Sequence, residues 1–149
     1  MPLDPSFVGR TYPPTAPYQV GREKIREFAT AIGATDAAYH DPEAARALGH
    51  PDVVAPPTFP VLLWISASRQ LVEDPALGLD YGRVVHGDQR FAYARPVVAG
   101  DELVCVHSVE EVTSRGGHDL LTTRTEVSTT AGEPVVTVWS KLVARGEGG

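Results

Sequence analysis

Carboxylates and imidazoles are the side chains best suited to moving protons near neutral pH, and in this 149-residue chain they fall close together in two places. The first is the stretch Asp36-Ala37-Ala38-Tyr39-His40-Asp41, and the second is His86-Gly87-Asp88-Gln89. Both have a plainer reading. An aspartate in a loop commonly accepts hydrogen bonds from nearby loop amides, which would occupy Asp36, and His40 beside Asp41 reads as a surface residue. A lone strand histidine such as His86 is more often a satisfied structural group, and Asp88 and Gln89 read as ties between a strand and a loop. His50, His107 and His118 sit in a loop, in a strand and next to a turn, and nothing around them assigns a role. The sequence has no Cys/His cluster, phosphate-cradling glycine loop or nucleophile elbow, so no metal or other cofactor is expected.

The only cysteine, Cys105, lies in an alternating apolar stretch. It cannot make an internal disulfide, and it reads as a small core residue because a reactive thiol needs a partly exposed, electropositive setting.

Several elements must position these groups. The proline-rich residues 1–19 read as an extended lead-in across the surface. From Gly21, the apolar residues Ile25, Phe28, Ala29 and Ile32 follow the spacing of one buried helical face, and Gly33 stops that helix. A short helix over Pro42 to Leu48 has Asp41 as its cap and Gly49 after its end. A longer helix is expected from about Phe59 to Val72, capped by Thr58 after Ala55-Pro56-Pro57. It is apolar on most of its circumference, the pattern of an enclosed helix. Beyond Gly82 the period becomes alternating, with strands expected at about 83–95, 102–114, 118–130 and 134–146. The breaks at Ala99-Gly100-Asp101, Arg115-Gly116-Gly117 and Thr130-Ala131-Gly132-Glu133 are short enough for antiparallel hairpins, giving a four-strand meander. Long twisted strands curling around one helix make the hot-dog arrangement, an α+β fold, with a sheet edge left for a second copy. The whole chain, 1–149, reads as one such domain with a glycine-rich tail at 146–149.

The bulk numbers narrow the function classes. A net charge of −6, from 13 Lys plus Arg against 19 Asp plus Glu, gives no basic footprint for nucleic acid. No apolar run reaches membrane-spanning length, and the start MPLDPSFVGR lacks the basic end and apolar core of a secretion signal. A cytoplasmic protein is the expectation.

The stretch Gly33-Ala34-Thr35-Asp36-Ala37-Ala38-Tyr39-His40-Asp41 resembles the active-site loop of MaoC-like (R)-specific enoyl-thioester hydratases, which reads roughly Gly-Asp-x-Asn-Pro-x-His-x-Asp. Val54-Ala55-Pro56-Pro57-Thr58-Phe59 resembles the family's approach to its central helix. His86-Gly87-Asp88-Gln89-Arg90-Phe91 and Arg95-Pro96-Val97-Val98-Ala99-Gly100-Asp101 resemble its next strand and turn, so the likeness covers nearly the whole chain. Within the family it is similar to the substrate-binding subunit of two-subunit (3R)-hydroxyacyl-carrier-protein dehydratases. The resemblance implies reversible addition of water to a trans-2-enoyl thioester of coenzyme A or a carrier protein. In the family an Asp and a His of the loop serve as base and acid, and amides at the start of the central helix receive the thioester carbonyl. The amides of Thr58, Phe59 and Val61 are the available donors here, because Pro57 and Pro60 have none.

Two registers of the loop remain open. Aligned without gaps, Ala34 takes the place of the catalytic Asp and Tyr39 that of the His, so the dyad is missing. With one residue lost from the loop, Asp36 and His40 become the catalytic pair, separated by three residues. Tyr39, Thr58, Phe59, His86 and Gln89 are the implied substrate-binding residues. The implied role is the acyl-binding half of a homodimer or of a heterodimer with a related hot-dog subunit. A non-catalytic acyl-thioester binder and a thioesterase are the alternatives.

Overall fold

The computed structural model describes residues 3–146, so most of the expected tail, 147–149, lies outside the described residues. The first helix, α1 (Arg22–Ala31), buries Ile25 and Ala29 completely. It ends in paired bonds from Gly33 N–H to Thr30 O and from Ala34 N–H to Ala29 O, with Gly33 at φ +72°. Such a reversal needs a left-handed residue, which glycine supplies without a Cβ clash. Ile32, expected on the buried face, is instead 51% exposed, because the helix has stopped one residue earlier and its side chain turns away from the core.

Helix α2 (Pro42–Ala47) is capped by the Asp41 carboxylate on Glu43 N–H at 3.0 Å, as expected. Helix α3 (Val61–Val72) begins later than the sequence reading placed it. Thr58 does not cap it; residues 57–60 form a turn and Pro60 precedes the first helical residue with no side-chain cap. Leu63, Trp64, Ala67, Ser68 and Leu71 make its buried stripe. The opposite flank is open, with Ile65 53% exposed, so the helix is covered on one side only rather than enclosed.

The strands are β1 (Tyr18–Gln19), β2 (Val84–Tyr93), β3 (Glu102–Arg115), β4 (His118–Thr129) and β5 (Pro134–Ala144). They form one antiparallel sheet in the order β1-β3-β4-β5-β2. The expected four-strand meander is therefore corrected: β3, β4 and β5 follow it, but β2 pairs with β5 and not with its sequence neighbour β3. The connection 94–101 is no hairpin. Its residues 97–99 pair with 53–55 through Ala55 N–H to Val97 O and Ala99 N–H to Val53 O. Arg95 grips the Asp101 carboxylate through two bonds of 2.9 Å and also pairs with Glu133, which fixes the crossing.

The lead-in is not free surface chain either. Gly9, Tyr12 and Thr15 donate backbone bonds to Val109, His107 and Cys105 of β3, and Leu3, Phe7 and Tyr12 are buried. Prolines exclude a full ladder, yet these spaced bonds still cover this edge of the sheet. The Tyr12 hydroxyl, 2.8 Å from an Asp74 carboxylate oxygen, ties the segment to the end of α3. One edge is therefore closed, and at the other β2 has no strand on its outer side among the described residues.

The inner face carries the core against α3, and Cys105 belongs to it, its thiol pushed up to about 11 by burial. No helix among the described residues is long and apolar enough to cross a membrane. His107 also lies on this face, fully buried, with Nδ1 2.7 Å from Thr125 Oγ1 and no partner for Nε2. Burial lowers its pKa from 6.5 to about 4. The unfolded chain thus binds more protons between these values, so stability is full above pH 6.5 and falls as the pH drops towards 4. Denaturant titrations should show a loss on the order of 2–3 kcal/mol across this range, and His107→Gln should flatten that slope; an unchanged slope would remove His107 from its cause.

Candidate functional site

The loop between α1 and α2 is held by backbone bonds that consume its polar side chains. Asp36 is exposed, and its carboxylate accepts from Ala38 N–H at 3.0 Å, capping a short 3-10 turn over Ala37–Tyr39. His40 Nε2 lies 2.9 Å from Ala34 O, the carbonyl released by the end of α1. Because a carbonyl only accepts, this bond places the proton of a neutral His40 on Nε2. Arg26 Nε donates to His40 O at 2.9 Å and fixes the same turn from α1. No hydrogen bond or ion pair joins Asp36 to His40 among the described residues.

Tyr39, between these two, faces elsewhere. With His50, Val54, Ala55, Pro57, Tyr93 and Pro96 it lines a mainly apolar cavity of about 250 Å³ beside the turn that leads into α3. Tyr93 closes the cavity by donating its hydroxyl to Pro57 O at 2.5 Å, and burial raises its pKa. His50 had no role in the sequence reading. Its side chain reaches the cavity because α2 turns back at Gly49, with His50 N–H bonded to Ala45 O; a position just after a short capped helix was the available signal.

The start of α3 offers fewer donors than the sequence implied. Phe59 N–H is used by Pro56 O at 2.9 Å and Val61 N–H by Thr58 O at 3.1 Å. The Thr58 N–H bonds to no protein acceptor among the described residues, and Thr58 is exposed. Phe59, an implied substrate-binding residue, is fully buried and meets Phe28 edge-on with ring centroids 5.5 Å apart. Its side chain therefore anchors the turn to α1 and lines no open cavity.

His86 and Gln89 both lie on the inner face of β2, although their odd spacing in sequence would set them on opposite faces. A bulge between His86 and Asp88 makes the difference, since His86 pairs with Leu142 and Gln89 with Ser140. His86 stacks on Trp64 with ring centroids 5.3 Å apart and planes inclined by 19°. Gln89 donates to Trp139 O at 3.2 Å and Ser140 Oγ at 2.8 Å, leaving Oε1 buried without a partner. Asp88 is on the opposite face and accepts from Gln89 N–H at 2.9 Å. The structure thus brings together Tyr39, His50, Tyr93 and the turn before Thr58, sets His86 and Gln89 further along α3, and leaves Asp36 and His40 in the loop scaffold.

The family model for the FAS1-like dehydratase domain region matches residues 6–138. A UPF0336 protein of Streptomyces coelicolor is 63% identical over 145 residues, covering 97% of each chain. Another from Saccharopolyspora erythraea is 60% identical, covering 98% of this chain and 94% of that one. Among solved structures, a chain of the Mycobacterium tuberculosis HadBC (3R)-hydroxyacyl-ACP dehydratase complex is 34% identical, with 89% of this chain and 92% of that one aligned and a TM-score of 0.79. A MaoC-like dehydratase, also 34% identical, superposes with a TM-score of 0.88 over 95% of this chain but only 43% of its own longer chain. The (R)-hydratase PhaJ1 of Pseudomonas aeruginosa, 21% identical with a TM-score of 0.70, shares the fold. The helix packed on a long antiparallel sheet, the sheet order and the residue matches agree: this chain belongs to the FAS1-like dehydratase-region family of MaoC-like hot-dog proteins.

Proposed function

We propose that the chain is the acyl-binding half of a hot-dog dehydratase acting on 3-hydroxyacyl and trans-2-enoyl thioesters, with the acid–base pair supplied by a related partner subunit. The observation that carries this reading is the state of the loop: Asp36 and His40 each hold a backbone group and do not touch each other. In the gapless register Ala34 and Tyr39 occupy the two chemical positions, and neither side chain is of a type that serves as a general base near neutral pH. The likeness to a chain of the two-subunit HadBC dehydratase supports the division of labour.

In hydration, a base takes a proton from water as the oxygen bonds to C3 of the enoyl thioester. Charge moves onto the carbonyl oxygen, and an acid then delivers a proton to C2. This chain's part is to receive that oxygen. The Thr58 N–H, at the positive end of the α3 region and with no protein acceptor among the described residues, is available to such an oxygen. The cavity bounded by Tyr39, His50 and Tyr93 lies beside it and accommodates the neighbouring part of the ligand. The bare edge of β2 is the surface on which the partner completes the site.

The purified chain alone should hydrate crotonyl-coenzyme A at least about a hundredfold more slowly than a mixture with a related subunit carrying an intact Asp/His loop, the usual scale of positioned acid–base catalysis. Robust turnover by the single chain would reject the subunit reading. Stabilisation by acyl-coenzyme A with no turnover in any mixture would favour a non-catalytic binder, and thiol release would favour a thioesterase. In the active mixture, Asp36→Asn and His40→Ala should each cost less than about tenfold in kcat/KM, below the range typical of a lost acid or base. A larger loss in both would restore them as the catalytic pair.

A further inference from the structure

A cavity of about 480 Å³ lies at the far end of the sheet, where β2 begins, β5 ends and the turn between β3 and β4 closes. The length of β2, about 30 Å at about 3.3 Å per residue, separates it from the cavity at Tyr93. Its volume falls within the range of small-molecule sites, roughly 300–1,000 Å³. The apolar part of its wall is aliphatic and comes from Leu3, Leu79 and Ala144. Gly78, at φ +69°, reverses the chain after α3 and sets Leu79 against the core. Gly146 packs so closely on the turn between β3 and β4 that a Cβ there would collide with Gly117 O, which closes one side.

The polar part of the wall is unevenly spent. Arg145 donates to Arg83 O through its N–H at 3.1 Å and its Nε at 3.3 Å, so the backbone sets two guanidinium-bearing residues side by side. The carboxylates beside them are engaged on protein donors. Asp119 accepts from Leu3 N–H at 3.2 Å and from Ser114 Oγ at 2.7 Å. Asp80 accepts from Gly82 N–H at 3.1 Å and stands 4.0 Å from Arg83 Nε. The terminal nitrogens of Arg83 and Arg145 make no hydrogen bond or ion pair among the described residues. Like charges held together are favoured when an anion joins them, and the planar guanidinium fork matches carboxylate and phosphate oxygens. We propose that this cavity binds a small organic anion with an aliphatic body, its carboxylate or phosphate head on Arg83 and Arg145 and its hydrocarbon against Leu3, Leu79 and Ala144. No aromatic side chain lines the cavity among the described residues, so a nucleotide base has no ring to stack on. The site is separate from the thioester cavity and does not depend on the role given to that cavity.

Calorimetric titration of the full chain with octanoate, octyl phosphate, acetate, octanol and adenosine monophosphate tests this, using wild type, Arg83→Gln and Arg145→Gln. Neither arginine belongs to the core, so both replacements leave it intact. Wild type should bind octanoate or octyl phosphate saturably, and the tighter of the two identifies the head group. Acetate, which lacks the body, and octanol, which lacks the charge, should each bind at least about tenfold more weakly than that ligand. Each arginine variant should weaken it by at least about tenfold, the scale of a lost charge-assisted hydrogen bond. The comparison of acetate and octanol with the octyl anions stands on wild type alone, whatever the variants do. Absence of saturable binding of both octyl anions, equal binding of octanol, or affinity unchanged in both variants overturns the site. Adenosine monophosphate binding as tightly as the octyl anions overturns the aliphatic class.

Discussion

The structure depends on burying one stripe of α3 against a sheet that has only one covered edge. Leu63, Trp64, Ala67 and Leu71 supply the stripe, and inward residues of β3, β4 and β5 supply the opposing surface. Full burial of side chains of this size contributes roughly 1.5–3 kcal/mol each for the larger ones, so the helix cannot leave the sheet without loss of the core. The position of the turn before α3 and of the His86–Trp64 contact follows from that packing. Phe59, packed on Phe28, fixes the turn before α3, and that turn sets the direction of the Thr58 N–H.

The two edges of the sheet have different fates. The lead-in covers β3 through spaced backbone bonds, and its tie from Tyr12 to Asp74 locks it against the end of α3. At the other edge β2 keeps its outward backbone groups, broken only by the bulge and by the Asp88 side chain on Gln89 N–H. An edge left open beside a half-covered helix is a place for a second subunit. On the proposed reading, the loop in such an assembly shapes the site while the partner supplies the acid–base pair.

Much of this was legible in the sequence. Strand boundaries fell within a few residues because alternation and glycine turns are local signals, and the caps at Gly33 and Asp41 followed from short-range chemistry. Non-local features were not legible. The placement of β2 beside β5 depends on pairing of 97–99 with 53–55 and on the Arg95–Asp101 contact, neither of which leaves a pattern in either segment alone. The exposure of Ile32 and Ile65 depends on where each helix stops and which neighbour is present. The shared facing of His86 and Gln89 depends on a bulge that reads in sequence only as a strand glycine, and the turn at 57–60 displaces the cap expected of Thr58.

The central claim is that this loop positions a thioester without performing its chemistry. A crystal structure of the chain with octanoyl-coenzyme A tests it most directly. The account predicts the thioester carbonyl within about 3 Å of the Thr58 N–H, with Asp36 still bonded to Ala38 and His40 to Ala34. A carbonyl placed away from Thr58, or a rearranged loop bringing Asp36 and His40 together over the enoyl carbons, would contradict it.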